Sequence, residues 1–308
     1  MTFLHALRTA ANTALSPLGL AVMRTERQPW LRPKTPTTRV GRFSIQMPGR
    51  NQLASVYAQN PHYTGHLGRL ARLLKKKYSS LAAIDIGANV GDTACIIKSA
   101  ADIPILCIEG DDLIFGFLEQ NLRQFQNASA HKLFLGEKTE TLAVNLDKGG
   151  WNATLIPDKS GSAPKVKIIS LDDFLATQPS TTTIKLVKID TEGFDCAIIR
   201  GARKFIEQVR PVLTFEYNRD TMAALGEKGL DTLSMLASLG YARVALHDCD
   251  GRFFSAASMA DAEFIRDIHE YADGRSAAIY YFDLTVFHED DLDVAQQFTI
   301  EERAWRAN

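Results

Sequence analysis

The feature that most constrains this chain is an apolar stretch that runs into a glycine-bearing turn and then a helical pattern, at residues 82–93 (AAIDIGANVGDT). A strand, a tight turn and a helix in this order form the nucleoside-binding element of doubly wound α/β folds. Gly87 would allow the tight turn, and Gly91 would let the helix begin close to the strand. The backbone amides of the turn, that of Ala88 among them, would face the ligand. This stretch therefore predicts a nucleoside site.

The side chains of the turn discriminate between nucleosides. A dinucleotide fingerprint needs a second glycine so that the backbone can approach a pyrophosphate, but this position holds Asn89, and the third position holds Asp92. A carboxylate in the first turn of the helix would repel a diphosphate. S-adenosylmethionine carries no phosphate and presents an ammonium and a sulfonium. Asp85 and Asp92 therefore favour S-adenosylmethionine over a nicotinamide dinucleotide as the cofactor.

A further acid ends the next predicted strand, ILCIE. Glu109 lies 22 residues beyond Gly87, where a carboxylate accepts hydrogen bonds from both ribose hydroxyls. Each residue alone has an ordinary structural explanation, since the glycines could serve turns, Asp85 a local cap and Glu109 the surface. In a strand, turn, helix and strand context they jointly predict a cofactor site, formed by Asp85, Gly87, Ala88, Asn89, Gly91, Asp92 and Glu109.

A second strand delivers acids into a turn at residues 184–195 (IKLVKIDTEGFD). Because the carboxyl ends of adjacent parallel strands share one crevice, we expect Asp190 and Glu192 to be the catalytic residues. In a transfer of the methyl group of S-adenosylmethionine to a hydroxyl, Asp190 would first orient this acceptor hydroxyl and then accept its proton late in the step. The alternative is that these acids serve only the N-terminus of the following helix, the role we assign to Asp195. Glu216 ends the predicted strand VLTFE. Its position is equally consistent with a residue that lines the same crevice and with an acid at the surface.

Short apolar runs alternate with amphipathic helical patterns from Leu81 onward, which predicts parallel strands joined by crossovers in a Rossmann-like, doubly wound, mostly parallel α/β sheet. Between Thr139 and Leu171 the pattern is irregular and indicates an insertion with strands and a loop. Helices are expected near Gly91, Asp112 and Asp195 and beyond Leu230. The predicted strands are Leu81 to Ile86, Ile103 to Ile108, Lys132 to Leu135, Ile184 to Ile189, Val212 to Tyr217, and a late antiparallel pair at the sheet edge, Tyr241 to His247 and Ala278 to Phe287.

The ends of the chain are expected to flank this domain. Residues 1–63 predict a helical and linker lead-in, residues 64–289 the methyltransferase-like domain, and residues 290–308 a C-terminal extension. Thr64 is expected to cap the first helix of the domain. Apolar residues recur at helical spacing near the start, at Leu4, Leu7, Ala11 and Leu15. They predict an amphipathic helix that packs on the domain or, alternatively, contacts a partner or a membrane surface weakly.

Composition narrows the partners and the compartment. With 35 basic and 36 acidic residues the net charge is −1, so no overall field attracts nucleic acid. The N-terminal apolar run is broken well before the roughly 18 residues that a transmembrane span needs. The four cysteines are scattered and form no C-x-x-C pair, which indicates reduced thiols and a cytoplasmic location. No metal site is expected.

Taken together, IDIGANVGDT, the acid of ILCIEGDD, SLDDFL, KLVKIDTEGFDCAIIRGA and RPVLTFE resemble the FkbM family of S-adenosylmethionine-dependent methyltransferases, over residues 81–216. The resemblance implies a Rossmann-like fold and O-methylation of sugar, glycolipid or polyketide hydroxyls. It places Asp85, Gly87, Asn89 and Gly91 around the methionine part, Glu109 at the ribose, and Asp190 and Glu192 in the active crevice. The family usually has proline after the ribose acid, whereas this chain has Gly110.

Other functions compete with an O-methyltransferase of a small-molecule or glycan acceptor. A nicotinamide dehydrogenase shares the fold but is disfavoured by Asn89 and Asp92. An N-methyltransferase of RNA or protein is disfavoured because the chain has no N-P-P-Y-like run and no basic stripe. A binding module that keeps the fold without turnover is an alternative of a different class.

Overall fold

A central eight-stranded sheet organises the computed structural model, which describes residues 35–49, 51–147, 154–158, 162–272 and 279–306. The strands in chain order are β1 (Thr37–Val40), β2 (Phe43–Gln46), β3 (Ala82–Ile86), β4 (Ile105–Glu109), β5 (Ala128–Lys132), β6 (Phe134–Gly136), β7 (Glu140–Asp147), β8 (Thr154–Pro157), β9 (Lys165–Ser170), β10 (Ile184–Ile189), β11 (Val212–Tyr217), β12 (Tyr241–Asp248), β13 (Phe253–Ser258) and β14 (Phe282–His288).

Helices cover both faces of this sheet. In chain order they are α1 (Leu53–Gln59), α2 (Gly65–Lys77), α3 (Asp92–Ala100), α4 (Asp112–Leu122), α5 (Leu171–Leu175), α6 (Asp195–Arg200), α7 (Arg203–Val209), α8 (Arg219–Leu225), α9 (Gly229–Ser238), α10 (Ala262–Tyr271) and α11 (Leu292–Arg306). Two clusters of buried apolar side chains lie between the helices and the sheet. Among the described residues, no helix combines the length and the apolar character needed to cross a membrane.

The strand order is β13-β12-β14-β11-β10-β3-β4-β5. The five strands from β11 to β5 run parallel. Beyond β11, each strand is antiparallel to the one before it: β14 to β11, β12 to β14, and β13 to β12. Central strands such as β10 are apolar and almost continuously buried, because helices cover both faces. The predicted Rossmann-like, mostly parallel fold is confirmed.

Three strand predictions differ from the structure. The third parallel strand is Ala128–Lys132 rather than Lys132 to Leu135, because a polar edge strand with one covered side lacks a continuous apolar run. The apolar residues that suggested it belong instead to Phe134–Gly136, which pairs with β9 in a separate sheet of order β6-β9-β7-β8. The last strand runs from Phe282 to His288 rather than from Ala278 to Phe287. The edge of the sheet is formed by β13, a strand that the sequence did not predict.

Helix α2 begins after Thr64, as expected, but the threonine does not cap it with its side chain. Thr64 has a left-handed backbone (φ 54°), and its hydroxyl donates to the carbonyl oxygen of Tyr63 (2.8 Å). The turn before the helix therefore turns this hydroxyl away from the first amides of α2. Lys75, Lys76 and Lys77 form the last helical turn, where positive charge suits the helix dipole.

Segments at both ends of the described chain pack on the sheet and its helices. The β1–β2 hairpin contacts α3 and α4, and α11 lies against α2 and β12. Arg69 of α2 binds Glu302 of α11 through two hydrogen bonds, one of 2.7 Å. The division of the chain into lead-in, domain and extension stays a prediction. The predicted N-terminal amphipathic helix lies outside the described residues.

Candidate functional site

The carboxyl ends of β3, β4, β10 and β11 open into one cavity of about 300 Å³. This is the edge at which doubly wound sheets bind ligands. The cavity walls come from the turns after these strands, from residues before α2 and from the approach to β14. The charged and hydrogen-bonding side chains among them are Tyr63, Thr64, Asn89, Asp92, Thr93, Glu109, Lys188, Asp190, Thr191, Glu192, Glu216, Asn218, Tyr280 and Tyr281.

The turn after β3 is shaped by alternate residues with left-handed backbones: Gly87 (φ 68°), Asn89 (φ 47°) and Gly91 (φ 88°). A Cβ atom added at Gly87 would lie 1.8 Å from the carbonyl oxygen of Asp190. No side chain fits at this separation, and positive φ is itself unfavourable for most residues. Gly87 therefore lets the turns after β3 and β10 touch each other, which closes the floor of the cavity.

Glu109, at the end of β4, ties two turns together. Its Oε2 accepts from the amide of Asn89 (3.0 Å), and its Oε1 accepts from the amides of Gly110 (2.8 Å) and Asp111 (2.9 Å). Burial raises the pKa of Glu109, whereas these amide donors oppose the rise. A carboxylate oxygen has two lone pairs, so Oε2 keeps one acceptor position after binding Asn89. The geometry fits a carboxylate that receives a ribose hydroxyl.

Lys188 is a functional residue that the sequence analysis missed. Its Nζ donates to the carbonyl oxygen of Gly87 (2.9 Å) and lies 3.2 Å from Oδ1 of Asp85 and 3.6 Å from Oδ2 of Asp190. Burial alone would lower the pKa of Lys188, but the carboxylates of Asp85, Asp190 and Asp92 outweigh it and raise the pKa. The signal in the sequence was a lysine between two apolar residues, Val187 and Ile189, near the carboxyl end of a buried strand.

Asp85 is fully buried beneath the turn and does not line the cavity. Burial raises the pKa of Asp85 to about 6, against the opposing effect of Lys188. Its partner in the structure is therefore the lysine, rather than the cationic ligand expected from the sequence. Through Lys188, Asp85 supports the backbone of Gly87 from below.

Ala88 and Gly91 also do not line the cavity. The amide of Ala88 donates to the carbonyl oxygen of Ile108 (2.9 Å), and its side chain is buried. Gly91 precedes α3, and a Cβ atom there would lie 3.1 Å from a methyl carbon of Leu118. Both residues shape the turn by packing, while the predicted residues that line the cavity are Gly87, Asn89, Asp92, Glu109, Asp190 and Glu192.

Asp190 follows β10, and its side chain is 45% exposed at the cavity. Its amide donates to the carbonyl oxygen of Ile86 (3.1 Å), which fixes the start of the turn against β3. Glu192 (φ 53°) and Gly193 (φ 101°) continue this turn with left-handed backbones. The predicted catalytic pair therefore stands on a tightly held turn beside the cofactor turn.

Asp195, assigned from sequence to the helix dipole, begins α6 and is buried. Its Oδ2 accepts from the amide (3.3 Å) and the hydroxyl (3.1 Å) of Thr191. Burial and then the nearby charge of Asp190 raise the pKa of Asp195 to about 7. Asp195 supports the turn that carries Asp190 and does not line the cavity.

Glu216 reaches the cavity, which resolves the choice that the sequence left open. Its Oε1 accepts from the side-chain amide of Asn218 (3.1 Å), a residue that the sequence analysis did not single out. Burial, followed by the charges of Asp190 and other carboxylates, raises the pKa of Glu216 well above its ordinary value. Tyr63 and Tyr281 come from distant parts of the chain to the same cavity, so no local motif could reveal them.

Gly110, the departure from the family pattern, packs against an aromatic ring. A Cβ atom at Gly110 would lie 2.1 Å from a ring carbon of Phe134, which also lines the cavity. A proline at this position would collide with the ring where it stands. The glycine therefore gives Phe134 the room to form the wall next to Glu109.

Fold and cavity define a nucleoside-binding α/β protein with acids at the ends of three strands of one sheet, β4, β10 and β11. The model of the FkbM methyltransferase domain matches residues 85–242, just over half of the chain, and the chain belongs to this family. Membership identifies a methyltransferase, as predicted, with S-adenosylmethionine as its cofactor. A search of curated proteins finds no match.

Solved structures similar to the chain include an FkbM methyltransferase from Methylobacillus flagellatus KT, at 17% identity and a TM-score of 0.41, over 58% of this chain and 43% of that one. TYW2 of P. horikoshii in complex with MeSAdo matches at 10% identity and a TM-score of 0.41, over 91% and 83%. The N-terminal domain of human METTL16 in complex with SAH matches at 14% identity and a TM-score of 0.38, over 92% and 81%. All three likenesses are distant, and the family assignment rests on the domain match.

Proposed function

We propose that the chain is an O-methyltransferase that methylates a hydroxyl of a sugar, glycolipid or polyketide-like small molecule. The observation that carries this proposal is the half-exposed carboxylate of Asp190, which stands on the floor of the cofactor cavity with Lys188 behind it. An acceptor hydroxyl needs a group that orients it and receives its proton, and a carboxylate within hydrogen-bond reach provides both.

The cofactor residues would hold S-adenosylmethionine by its ribose and by its methionine part. Glu109 would accept a ribose hydroxyl at Oε2, and Asp92 would attract the ammonium of the methionine part. When bound, S-adenosylmethionine supplies an electrophilic methyl group and a thioether leaving group. Alignment of the acceptor oxygen with this methyl group supplies most of the rate, since proximity and orientation lower a barrier by about 7–11 kcal/mol.

On the acceptor side, Asp190 accepts a hydrogen bond from the acceptor hydroxyl and takes its proton late in the step. Lys188 holds that carboxylate near the cofactor turn, because its Nζ bridges Asp190 and the carbonyl oxygen of Gly87. Glu192 and Glu216 offer further oxygens to neighbouring hydroxyls of the acceptor. This array of acceptors suits a polyhydroxylated molecule.

The charge of the cavity restricts the acceptor. Among the described residues, five carboxyl groups line the cavity, from Asp92, Glu109, Asp190, Glu192 and Glu216, against one basic residue, Lys188. The raised pKa of Glu216 favours its neutral form, so the negative charge comes from the other four. A phosphate or carboxylate on the acceptor would meet repulsion there. This pattern supports an uncharged hydroxyl compound and argues against nucleic acid.

We also place the reaction in the cytoplasm. The support is the state of the buried cysteines, since Cys95, Cys107 and Cys196 are free thiols inside the core. Free buried thiols are typical of proteins from reducing compartments.

Replacing Asp190 by Asn tests the assignment of chemistry to this residue. We expect kcat to fall by about 10²–10⁴ while S-adenosylhomocysteine affinity changes little, because Asn keeps the shape and loses the proton acceptor. The assay uses S-adenosylmethionine labelled with ¹³C at the methyl group and a panel of neutral glycosides and polyketides, with the product carbon read by NMR. Asp231→Asn makes the same chemical change at an exposed position of α9, away from the cavity, and serves as the control.

Three results would contradict the proposal. Full turnover by Asp190→Asn would remove its catalytic role. A labelled methyl carbon attached to nitrogen, or cofactor binding without turnover on the whole panel, would replace O-methylation by N-methylation or by a binding module.

A further inference from the structure

A short segment before α2, outside the part that the family model matches, forms one wall of the cavity. Leu53 of α1 together with Tyr63 and Thr64 lines it, whereas the family match begins at residue 85. Two buried polar residues of this segment, Asn51 and Tyr57, touch the cofactor turn directly; they are 4% and 5% exposed.

Tyr57 donates a hydrogen bond from its hydroxyl to Oδ2 of Asp92 over 2.8 Å. The Tyr57 hydroxyl lies farther from Thr64 Oγ1, at 3.4 Å, and the Thr64 hydroxyl donates to the carbonyl oxygen of Tyr63. A phenol has one proton to give, and the shorter contact to a carboxylate takes it. Tyr57 therefore fixes the orientation of the one acid in the first turn of α3.

Asn51 makes a second link to the same turn. Its Nδ2 donates to Oδ1 of Asn89 over 3.2 Å, while its Oδ1 accepts from the amide of Leu53 (2.9 Å). The side chain thus joins the start of α1 to the residue at φ 47° in the middle of the cofactor turn. Both links connect α1 to side chains that line the cavity.

We propose that residues 51–64 complete the cofactor site and that Tyr57 is a positioning residue, which holds the Asp92 carboxylate for the ammonium of S-adenosylmethionine. This inference rests on the proposed cofactor role of Asp92. Burial raises the pKa of Asp92, and the hydrogen bond from Tyr57 opposes this rise. Burial and the charge of Asp92 raise the pKa of Tyr57, so the phenol keeps its proton as a donor.

Replacing Tyr57 by Phe removes the donor and keeps the ring. We expect the affinities for S-adenosylmethionine and S-adenosylhomocysteine to fall together by about 10-fold, because the Asp92 carboxylate loses the donor that fixes its position and favours its charged form. Because Asp92 then loses a group that favours its charged form, the fall in affinity on acidification should begin at a higher pH. Calorimetric titrations from pH 5 to pH 8 measure both effects.

Tyr241→Phe is the matched control. Tyr241 is 1% exposed and donates to the carbonyl oxygen of Pro211 over 2.7 Å, away from the cavity, so its loss lowers stability without touching Asp92. Asp92→Asn gives an independent variant if Tyr57→Phe folds poorly. It should weaken binding and reduce the dependence of affinity on acid pH.

The outcomes separate this inference from the proposed function. If the unmodified protein does not bind S-adenosylhomocysteine, the proposed function fails. If the unmodified protein binds and Tyr57→Phe keeps its affinity and pH profile, only the positioning role of Tyr57 is overturned. If Asp92→Asn binds as well as the unmodified protein, the cofactor role of Asp92 is overturned together with the positioning role of Tyr57, while cofactor binding by the rest of the site stands.

Discussion

The two halves of the cavity are built in different ways. On the proposed assignment, the cofactor half comes mainly from one stretch of chain, Gly87 to Asp92, plus Glu109, and most of its hydrogen bonds use backbone amides and carbonyls. The proposed acceptor half gathers side chains from distant positions, namely Asp190, Glu192, Glu216, Asn218, Tyr280 and Tyr281. A compact, backbone-based site leaves a motif in the sequence, whereas a site assembled by the fold does not.

Gly87→Ala should have the largest effect, because it removes the contact on which both halves depend. The added Cβ atom would lie 1.8 Å from the carbonyl oxygen of Asp190, at a φ of 68°. We expect loss of measurable S-adenosylhomocysteine binding and of activity, together with a lower melting temperature.

Gly116→Ala is the control for this substitution. Gly116 lies inside α4, and a Cβ atom there meets nothing within 4 Å. Alanine should therefore stabilise the helix by about 0.5–1 kcal/mol and leave binding unchanged. An active Gly87→Ala variant with normal affinity would show that the two turns do not need this close contact.

The same contrast explains what could be read from the sequence. The parallel sheet and the cofactor turn followed from apolar runs and from glycines at fixed spacing, which are local signals. Lys188 was missed because its role depends on Asp85, more than one hundred residues earlier. Tyr57 was missed because the hydrogen bond to Asp92 exists only when α1 packs on the cofactor turn. The edge strand β13 was missed because it is recognised mainly by its pairing with β12, which the sequence does not show.

Three residues of the motif do not line the cavity. Asp85, Ala88 and Gly91 support the cofactor turn from behind, and their contact with the cofactor stays a prediction. A motif records what the local backbone requires, and a ligand touches only part of it.

Glu109→Ala tests the ribose contact in the cofactor half of the cavity. Its loss leaves the amides of Asn89, Gly110 and Asp111 without this acceptor and removes the expected ribose contact. We expect cofactor affinity to fall by about 10- to 100-fold, in line with a hydrogen bond to a charged group. Titration with S-adenosylhomocysteine measures the change, and unaltered affinity would disprove the ribose assignment.

A smaller effect is expected outside the cavity lining, where His66 and His247 stack with ring centroids 4.1 Å apart. Burial lowers the pKa of both rings below the ordinary value of 6.5, and Arg69 beside them also disfavours their protonation, while Glu302 favours the charged form of His247. Stability is therefore fully present above about pH 6.5 and lost as the pH falls, by up to about 1.4 kcal/mol per pH unit for each ring.

Denaturant unfolding between pH 5 and pH 7.5 measures this loss. His66→Leu removes one titrating ring, so the free energy of unfolding should depend less steeply on pH in this variant. Equal slopes for the variant and the unmodified protein would mean that the pair does not resist protonation. S-adenosylhomocysteine affinity at pH 7.5 should be the same in both, since neither ring lines the cavity.

Calorimetric titration of the unmodified protein with S-adenosylhomocysteine, and in parallel with NAD, tests most directly whether the cavity lined by Gly87 binds S-adenosylmethionine rather than a dinucleotide. We expect one molecule of S-adenosylhomocysteine bound per chain and no heat from NAD, because Asp92 and Asn89 occupy the places where a pyrophosphate would need glycine and a free helix end. Binding of NAD, or no binding of either compound, would contradict this identification of the site.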